Sequence, residues 1–430
     1  MASQDMRLYP DFLRTYITSL LRRLAMPYFI SPKVLFGRGA LKRLGPELKG
    51  QGNRAVLITD KTMVKHTGRI IETVRDAGFE VMIWDGAESD PAIEVALAGS
   101  RVLLDFKPQW VIGFGGGSAI DTAKAAWVLY ERPDLVSKPI FPKVELNLRR
   151  KARFLSVPTT SGTGADVTWV AVLTDMSEHR KIVFVHNDIV PDISVLDTEL
   201  TVGMPRALTA STGMDVLGHS LDGYTSRQRT DFSDGLCLQA TKMTFEWLPK
   251  ACQDGNDPLA REKMQNAATI AGLGFGNSNT GLSHALAHSV GVLFHIPHGR
   301  AVGIALPHSL EYIISNPPLP NAPESLERLG IVARFIGIDA ASDQEGAHRL
   351  IQKIRELEQE IGEPLSLKET GISEQQMIKG IDTLIRLGSS DPNMGTIPCE
   401  CKEENLRQLF QDMWEGKGNR DEPEFTNREN

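Results

Sequence analysis

Short apolar runs alternate with stretches of helical periodicity across residues 54–197. The runs at 55–59 (AVLIT), 79–84 (FEVMIW), 110–114 (WVIGF), 154–157 (FLSV) and 193–196 (ISVL) read as strands. Their β-branched and aromatic side chains fit a pleated, buried surface. Apolar positions three and four residues apart predict helices between several of them, at 62–77, 92–105 and 119–130. Strands separated by helices predict a mostly parallel sheet of βαβ units. After Met204 the strand signals stop. Helices are then predicted at 205–225, 232–250, 258–273, 280–293, 300–315, 323–336, 343–360, 373–387 and 403–415. The expected organisation is an N-terminal α/β dinucleotide-binding (Rossmann-like) domain over 28–204 and an all-helical metal-binding domain over 205–415.

Two flanks stand outside that pattern. Leu8, Phe12, Leu13, Tyr16, Ile17, Leu20, Leu21 and Leu24 recur at helical spacing within an amphipathic arm over 1–27, ended by Pro27. Arg14, Arg22 and Arg23 interrupt the stripe, so it reads as neither a secretory segment nor a membrane span. An apolar stripe needs a surface. The expected partner is the protein's own body, a neighbouring subunit or a larger assembly, with a membrane surface as the remaining reading. The tail over 416–430 is polar.

Composition narrows the class without choosing the chemistry. The chain has 430 residues, 41% hydrophobic and 23% charged, with 47 basic against 54 acidic side chains and a net charge of −7. No chain-wide basic footprint for nucleic acid exists. Four cysteines (Cys237, Cys252, Cys399 and Cys401) form no disulfide framework, which points to the reducing cytoplasm.

Chemistry enters at two places. The run ending at Phe114 meets Gly115, Gly116, Gly117 and Ser118, followed by AIDTAKAA. Strand, glycines and helix start let backbone amides approach a pyrophosphate, since no Cβ blocks the way and a helix N-terminus favours negative charge. Ser118 and Asp121 also have capping-box spacing. A tight structural turn is the plain alternative. After the strand at 154–157, Thr159, Thr160, Ser161, Gly162, Thr163 and Gly164 supply hydroxyls and two glycines. Asp60 ends the strand at 55–59, where an acid suits both hydroxyls of a ribose and repels a 2′-phosphate, favouring NAD(H); capping the next helix is its alternative role.

In the second half, five of the ten histidines fall between His284 and His308. Asp215 and His219 are four residues apart, as are His284 and His288, with His295 and His298 close behind. Carboxylate and imidazole at i and i+4 on facing helices can enclose one divalent ion, and oxygen with nitrogen donors suits Fe(II) or Zn(II). Spacing alone leaves open which of them bind. His288 is either a ligand or a proton carrier beside the ion, and His295 reads as a loop histidine.

The segments GGGSAIDTAKA, PTTSGTGADVT, TGMDVLGHSLDGY and GLSHALAHSVG running on to IPHG follow one another in order. With them the chain resembles the iron-dependent (group III) alcohol dehydrogenase family over residues 28–415. The resemblance implies metal ligands at Asp215, His219, His284 and His298, with His288 beside the metal but outside the four. It implies a pyrophosphate loop at Gly117 and Ser118, a second nucleotide loop at Thr159, Thr160 and Thr163, a cofactor-contacting Lys181 and discrimination against NADP(H) at Asp60. The expected reaction moves a hydride between NAD(H) and a small alcohol or aldehyde, the metal polarising the substrate oxygen. His288 is the candidate for carrying the hydroxyl proton. Relatives commonly dimerise through the α/β domain, so a homodimer or larger homo-oligomer is expected.

Two departures widen the substrate range. Arg300 follows His298 and Gly299 where a small apolar residue is expected, and it either reaches an anionic substrate or starts the next helix outside the pocket. Asn277, Ser278, Asn279 and Thr280 are more polar than an apolar alcohol pocket needs. The competing readings are a hydroxyacid–oxoacid transhydrogenase and a synthase resembling dehydroquinate synthase. The synthase needs several cations for its substrate, and from Gly272 to Leu306 Arg300 is the only Lys or Arg.

Overall fold

The structure, a computed structural model, describes residues 29–135, 145–175 and 180–416. The apolar stripe before Pro27 and the tail beyond Gly416 lie outside those residues. Eight strands form among them: β1 (Lys33–Phe36), β2 (Arg54–Asp60), β3 (Glu80–Ala87), β4 (Trp110–Gly115), β5 (Arg153–Pro158), β6 (Val170–Asp175), β7 (Arg180–Val185) and β8 (Ile193–Leu196). Six of them make one sheet in the order β1-β8-β5-β4-β2-β3, and every pairing in it is parallel.

Every residue of β4 is buried. That is why WVIGFG reads as an unbroken apolar run: a parallel strand is covered on both faces. On one face Leu57, Ile112, Leu155 and Ile193 stand side by side. They pack under the helices α1 (Leu44–Leu48) and α2 (Gly68–Asp76). On the other face Val56, Val111 and Phe154 lie under α3 (Ile93–Phe106) and α4 (Gly117–Glu131). β2 leads outward to β3 while β4 leads the opposite way to β5. The crevice between the carboxyl ends of β2 and β4 is therefore a topological switch point, where ligands collect in open α/β sheets.

Three strands escape the sequence reading. β1 is a four-residue edge strand with exposed ends, too short to show a period. β6 and β7 pair antiparallel, with Val170 opposite Val185, in a sheet of their own. Only four residues separate them in sequence, too few for a connecting helix, so they break the alternation that reveals the rest.

Nine helices follow among the described residues: α5 (Arg206–Thr225), α6 (Asp231–Gln253), α7 (Pro258–Gly276), α8 (Leu282–Phe294), α9 (His298–Ser315), α10 (Ser325–Phe335), α11 (Asp343–Ile361), α12 (Glu374–Ser389) and α13 (Glu403–Glu415). Two buried side chains fix how this half begins and where it meets the sheet. Arg261 on α7 donates to the carbonyls of Gly255 and Met204 and to Thr209 Oγ1, at 2.7–2.9 Å. It spends its guanidinium on the chain that enters α5. Asp166 Oδ2 accepts from Ser194 on β8 and from Thr269 on α7. Among the described residues no helix is long and apolar enough to cross a membrane.

Candidate metal centre and nucleotide cleft

α5 is buried on nearly every side, and Asp215 and His219 project from it toward α8 and the first turn of α9. Glycines set the crossing of α5 with α9. A Cβ on Gly218 would fall 2.2 Å from Val302 Cγ1, and one on Gly299 would fall 2.1 Å from the carbonyl oxygen of Ser211. The backbones can close only because nothing stands between them. Asp215 Oδ1 then lies 3.3 Å from His298 Nε2, 3.7 Å from His284 Nε2 and 3.8 Å from His219 Nε2. One donor atom from each of the four lies within 4.8 Å of the others. An ion bound at about 2.0–2.2 Å by four such atoms needs separations of this order.

The charges of the cluster call for a cation at its centre. Burial alone would raise the Asp215 carboxyl, yet His219, His298 and His284 together hold it well below the usual carboxylate range. Burial drives His219 down to about 3 against the pull of Asp215. Burial would also lower His284, but the carboxylates of Asp215 and Asp222 on either side of its ring push it up to about 9. Asp215 Oδ1, His219 Nδ1 and His284 Nε2 are buried without a hydrogen-bond partner. Buried polar atoms of this kind are costly unless a ligand satisfies them, so the residues present fit a metal ion.

Partners behind the cluster hold the rings. Asp222 Oδ2 meets His284 Nδ1 at 2.8 Å and also accepts from Ser283 Oγ and the Gly281 amide. A carboxylate on Nδ1 leaves Nε2 as the free donor toward the centre. Asp222 escaped the sequence reading, although it lies three residues past His219 on the same face of α5 and was legible from that spacing. His219 is sandwiched between Phe275, at a ring distance of 4.0 Å, and His284, at 4.5 Å.

The remaining histidines stand apart. His288 is not among the four; its Nδ1 lies 2.8 Å from Asp391 Oδ2, and its ring stacks on His298 at 5.3 Å. Asp391 is 103 residues away in sequence, and no local signal pointed to it. His295 ends α8 in a left-handed conformation, φ 56°, a loop histidine. Arg300 donates to both carboxylate oxygens of buried Glu363, at 2.8 and 3.3 Å. Its charge is paired there, which favours the alternative that it starts the next helix outside the pocket over the one in which it reaches an anionic substrate. The polar residues before α8 are likewise structural. Asn277 bonds both backbone groups of Ile30, and Thr280 Oγ1 donates to Asn393.

The second cluster of candidates gathers at the switch point. Gly115 has φ +143°, and a Cβ there would lie 2.8 Å from Ala119 and 3.6 Å from Asp60 Oδ2. A Cβ on Gly116 would reach Thr160 at 3.4 Å, and one on Gly117 would reach Thr163 at 2.7 Å. The two predicted loops thus touch, and the Thr159 amide donates to the Gly115 carbonyl. The expected capping box does not form: α4 starts at Gly117 with Gly116 as N-cap and no side-chain cap. Ser118 and Asp121 fall inside the helix, and the Asp121 carboxylate accepts from the Val172 amide. The amides of Ala119 and Ile120 turn to the Gly116 carbonyl, and those of Gly117 and Ser118 open the helix where an anion is favoured. Ser161 Oγ and Thr59 Oγ1 are buried without partners beside these loops. Asp60 Oδ1 takes the Thr62 hydroxyl and the amides of Thr62 and Met63. It therefore caps a turn, not the helix expected to start near Lys61, which begins only at Gly68, while Oδ2 faces Gly115. Lys181 stands on β7 opposite Thr174. The cleft adjoins the metal cluster, because a Cβ on Gly162 would meet Thr212 of α5 at 2.7 Å, three residues before Asp215.

A cleft at the switch point of a parallel sheet, set against a helical Asp-His cluster, is the arrangement of a metal- and nucleotide-dependent enzyme. The sequence models for iron-containing alcohol dehydrogenase and for the C-terminal part of that family match residues 31–198 and 209–414. The chain belongs to the iron-containing alcohol dehydrogenase family. It is 35% identical over 395 residues to the NADPH-dependent butanol dehydrogenase of Clostridium saccharobutylicum, covering 91% of this chain and 98% of that one. It is 31% identical over 364 residues to the NAD-dependent methanol dehydrogenase of Bacillus methanolicus, covering 81% and 91%. The solved 1,3-propanediol oxidoreductase superposes with a TM-score of 0.84 at 29% identity, covering 90% of this chain and all of that one. Other relatives, bifunctional aldehyde-alcohol dehydrogenases, are longer, and the chain spans 46% of their length.

Proposed function

We propose that this chain is an alcohol dehydrogenase or aldehyde reductase that holds a divalent ion on Asp215, His219, His284 and His298 and prefers NAD(H). The convergence of four donor atoms within 4.8 Å around the unpartnered His284 Nε2 carries the reading. When bound, the ion, Fe(II) or Zn(II), supplies Lewis acidity toward the substrate oxygen and the nicotinamide supplies the hydride chemistry. The protein's own residues do the rest. Asp222 fixes the His284 ring, and the crossing at Gly218 and Gly299 fixes the spacing of the donors. Gly116, Gly117 and Ser118 offer backbone amides to the pyrophosphate, with Thr159, Thr160, Thr163 and Lys181 completing the nucleotide site. Asp121 serves that site indirectly, by bonding α4 to β6. Asp60 Oδ2 is the acceptor for a ribose hydroxyl and repels a 2′-phosphate.

His288, with its side chain 34% exposed, exchanges the hydroxyl proton with solvent. The substrate is a small uncharged alcohol or aldehyde, since Arg300 is spent on Glu363. Neither the transhydrogenase nor the synthase reading gains an observation. A cytoplasmic location agrees with four free cysteines. Assembly as a homo-oligomer, with the N-terminal arm docked on a neighbouring subunit or a larger assembly, completes the proposal.

The deciding experiment is an anaerobic assay of protein loaded with Fe(II) or Zn(II), following NADH and NADPH absorbance with short aliphatic, aromatic and anionic aldehydes. Metal-dependent NADH loss with uncharged aldehydes is expected. No loss with any aldehyde, despite bound metal and nucleotide, overturns the proposal.

A further inference from the structure

We propose that Asp391 is the positioning residue of a His288–Asp391 dyad that decides which imidazole nitrogen of His288 handles the substrate hydroxyl proton. The inference rests on the role given to His288 above and goes beyond it by naming the atom and the group that selects it. His288 Nδ1 lies 2.8 Å from Asp391 Oδ2. A carboxylate only accepts, so Nδ1 carries the hydrogen and Nε2 presents its lone pair.

Asp391 is built to hold that pose. It is 9% exposed, and its other oxygen, Oδ1, accepts from the Asn393 amide at 2.8 Å, capping the short turn Pro392–Gly395. That turn is tied to the start of α8, the helix that bears His288. Thr280 Oγ1 donates to Asn393 Oδ1 at 2.8 Å, and Thr396 Oγ1 donates to the Thr280 carbonyl at 2.5 Å. The dyad is thus anchored on both partners, with His298 stacked on the imidazole. In alcohol oxidation the O–H bond breaks and its proton bonds to Nε2, while the C–H bond on the same carbon breaks and its hydride would pass to the nicotinamide cofactor. The resulting imidazolium faces the Asp391 carboxylate until Nε2 releases the proton to water. In aldehyde reduction the same atom delivers it. The logic is that of a carboxylate orienting a general base.

Asp391→Asn tests this without removing the cap, because its carbonyl oxygen can still accept from Asn393. Its amide then donates to Nδ1 and moves the imidazole hydrogen to Nε2. The expected result is a fall in kcat of about 10–100-fold with unchanged KM for NADH and unchanged metal content. A second readout needs no turnover: imidazole 15N shifts of the Zn(II)-loaded protein report Nδ1–H for the wild type and Nε2–H for Asp391→Asn. Asp391→Glu should restore the Nδ1–H form and part of kcat. Wild-type kcat in Asp391→Asn, or an Nε2–H form in the wild type, overturns the dyad. If His288→Gln also turns over at the wild-type rate, the role of His288 itself falls. A slow His288→Gln beside a fast Asp391→Asn removes the dyad alone.

Discussion

Gly299 lies so close to Ser211 that a Cβ on it would stand 2.1 Å from the Ser211 carbonyl oxygen. This contact, one residue past His298 and four before Asp215, sets how far apart the two candidate ligands sit. Gly299→Ala must therefore push α9 off α5. The expected cost is about 1–3 kcal/mol of stability, typical of overpacking, together with a loss of bound metal. Denaturant unfolding and elemental analysis check both. Unchanged metal content would mean that the helices adjust without moving the donors.

Asp222 touches the cluster only through His284. Asp222→Asn keeps the volume but replaces an acceptor-only group, so the preference for hydrogen on Nδ1 weakens. Metal affinity should fall by about 10–100-fold, the usual effect of losing such a partner. Competition with a chelator measures it, and circular dichroism should show an unchanged fold.

Removing the metal should abolish NADH turnover and lower the melting temperature, since an ion that binds only the folded state stabilises it by mass action. Adding Fe(II) or Zn(II) should restore both. His284→Ala, which removes one of the four donors, should show little shift in melting temperature with metal.

Asp60 holds one oxygen on its own turn and directs the other toward Gly115. Asp60→Ser preserves a capping hydroxyl while deleting the charge. The ratio of kcat/KM for NADPH over NADH should rise by about 10–100-fold, the scale of one charged hydrogen bond. An unchanged ratio would assign Asp60 to the turn alone.

Lys124 is fully buried on α4, and its ammonium donates to the carbonyls of Thr168 and Val170 at 2.6 and 3.0 Å. Burial lowers its pKa from 10.5 to about 8, against the pull of Asp121 and Asp166. Below pH 8 both the folded and unfolded states carry the proton, and the folded state bears the full desolvation cost. Between pH 8 and 10.5 the unfolded state binds more protons, so stability rises with pH. At about 1.4 kcal/mol per pH unit, this gain amounts to about 3 kcal/mol. The stability difference between wild type and Lys124→Met should shift by that amount in favour of the wild type across the window. Urea unfolding at both ends measures it, and a flat difference refutes it.

The sequence by itself determined the strands at the centre of the sheet, the helices after Met204 and the spacing that places Asp215 with His219 and His284 with His288. Those features depend on periodicity, and a period of two or 3.6 is visible within a few residues. Asp222 was visible by the same rule. Only the tertiary structure decided that His284 joins the cluster while its neighbour at i+4 turns to Asp391, that Arg300 is bound by Glu363, and that Asn277 serves Ile30. It also decided that Asp60 caps its turn with one oxygen and leaves the other facing Gly115. Most of these partners lie 63 to 247 residues apart. At such separations spacing carries no information, and the choice is made by close approach, where a glycine lets two backbones meet and a buried charge takes the nearest group able to satisfy it.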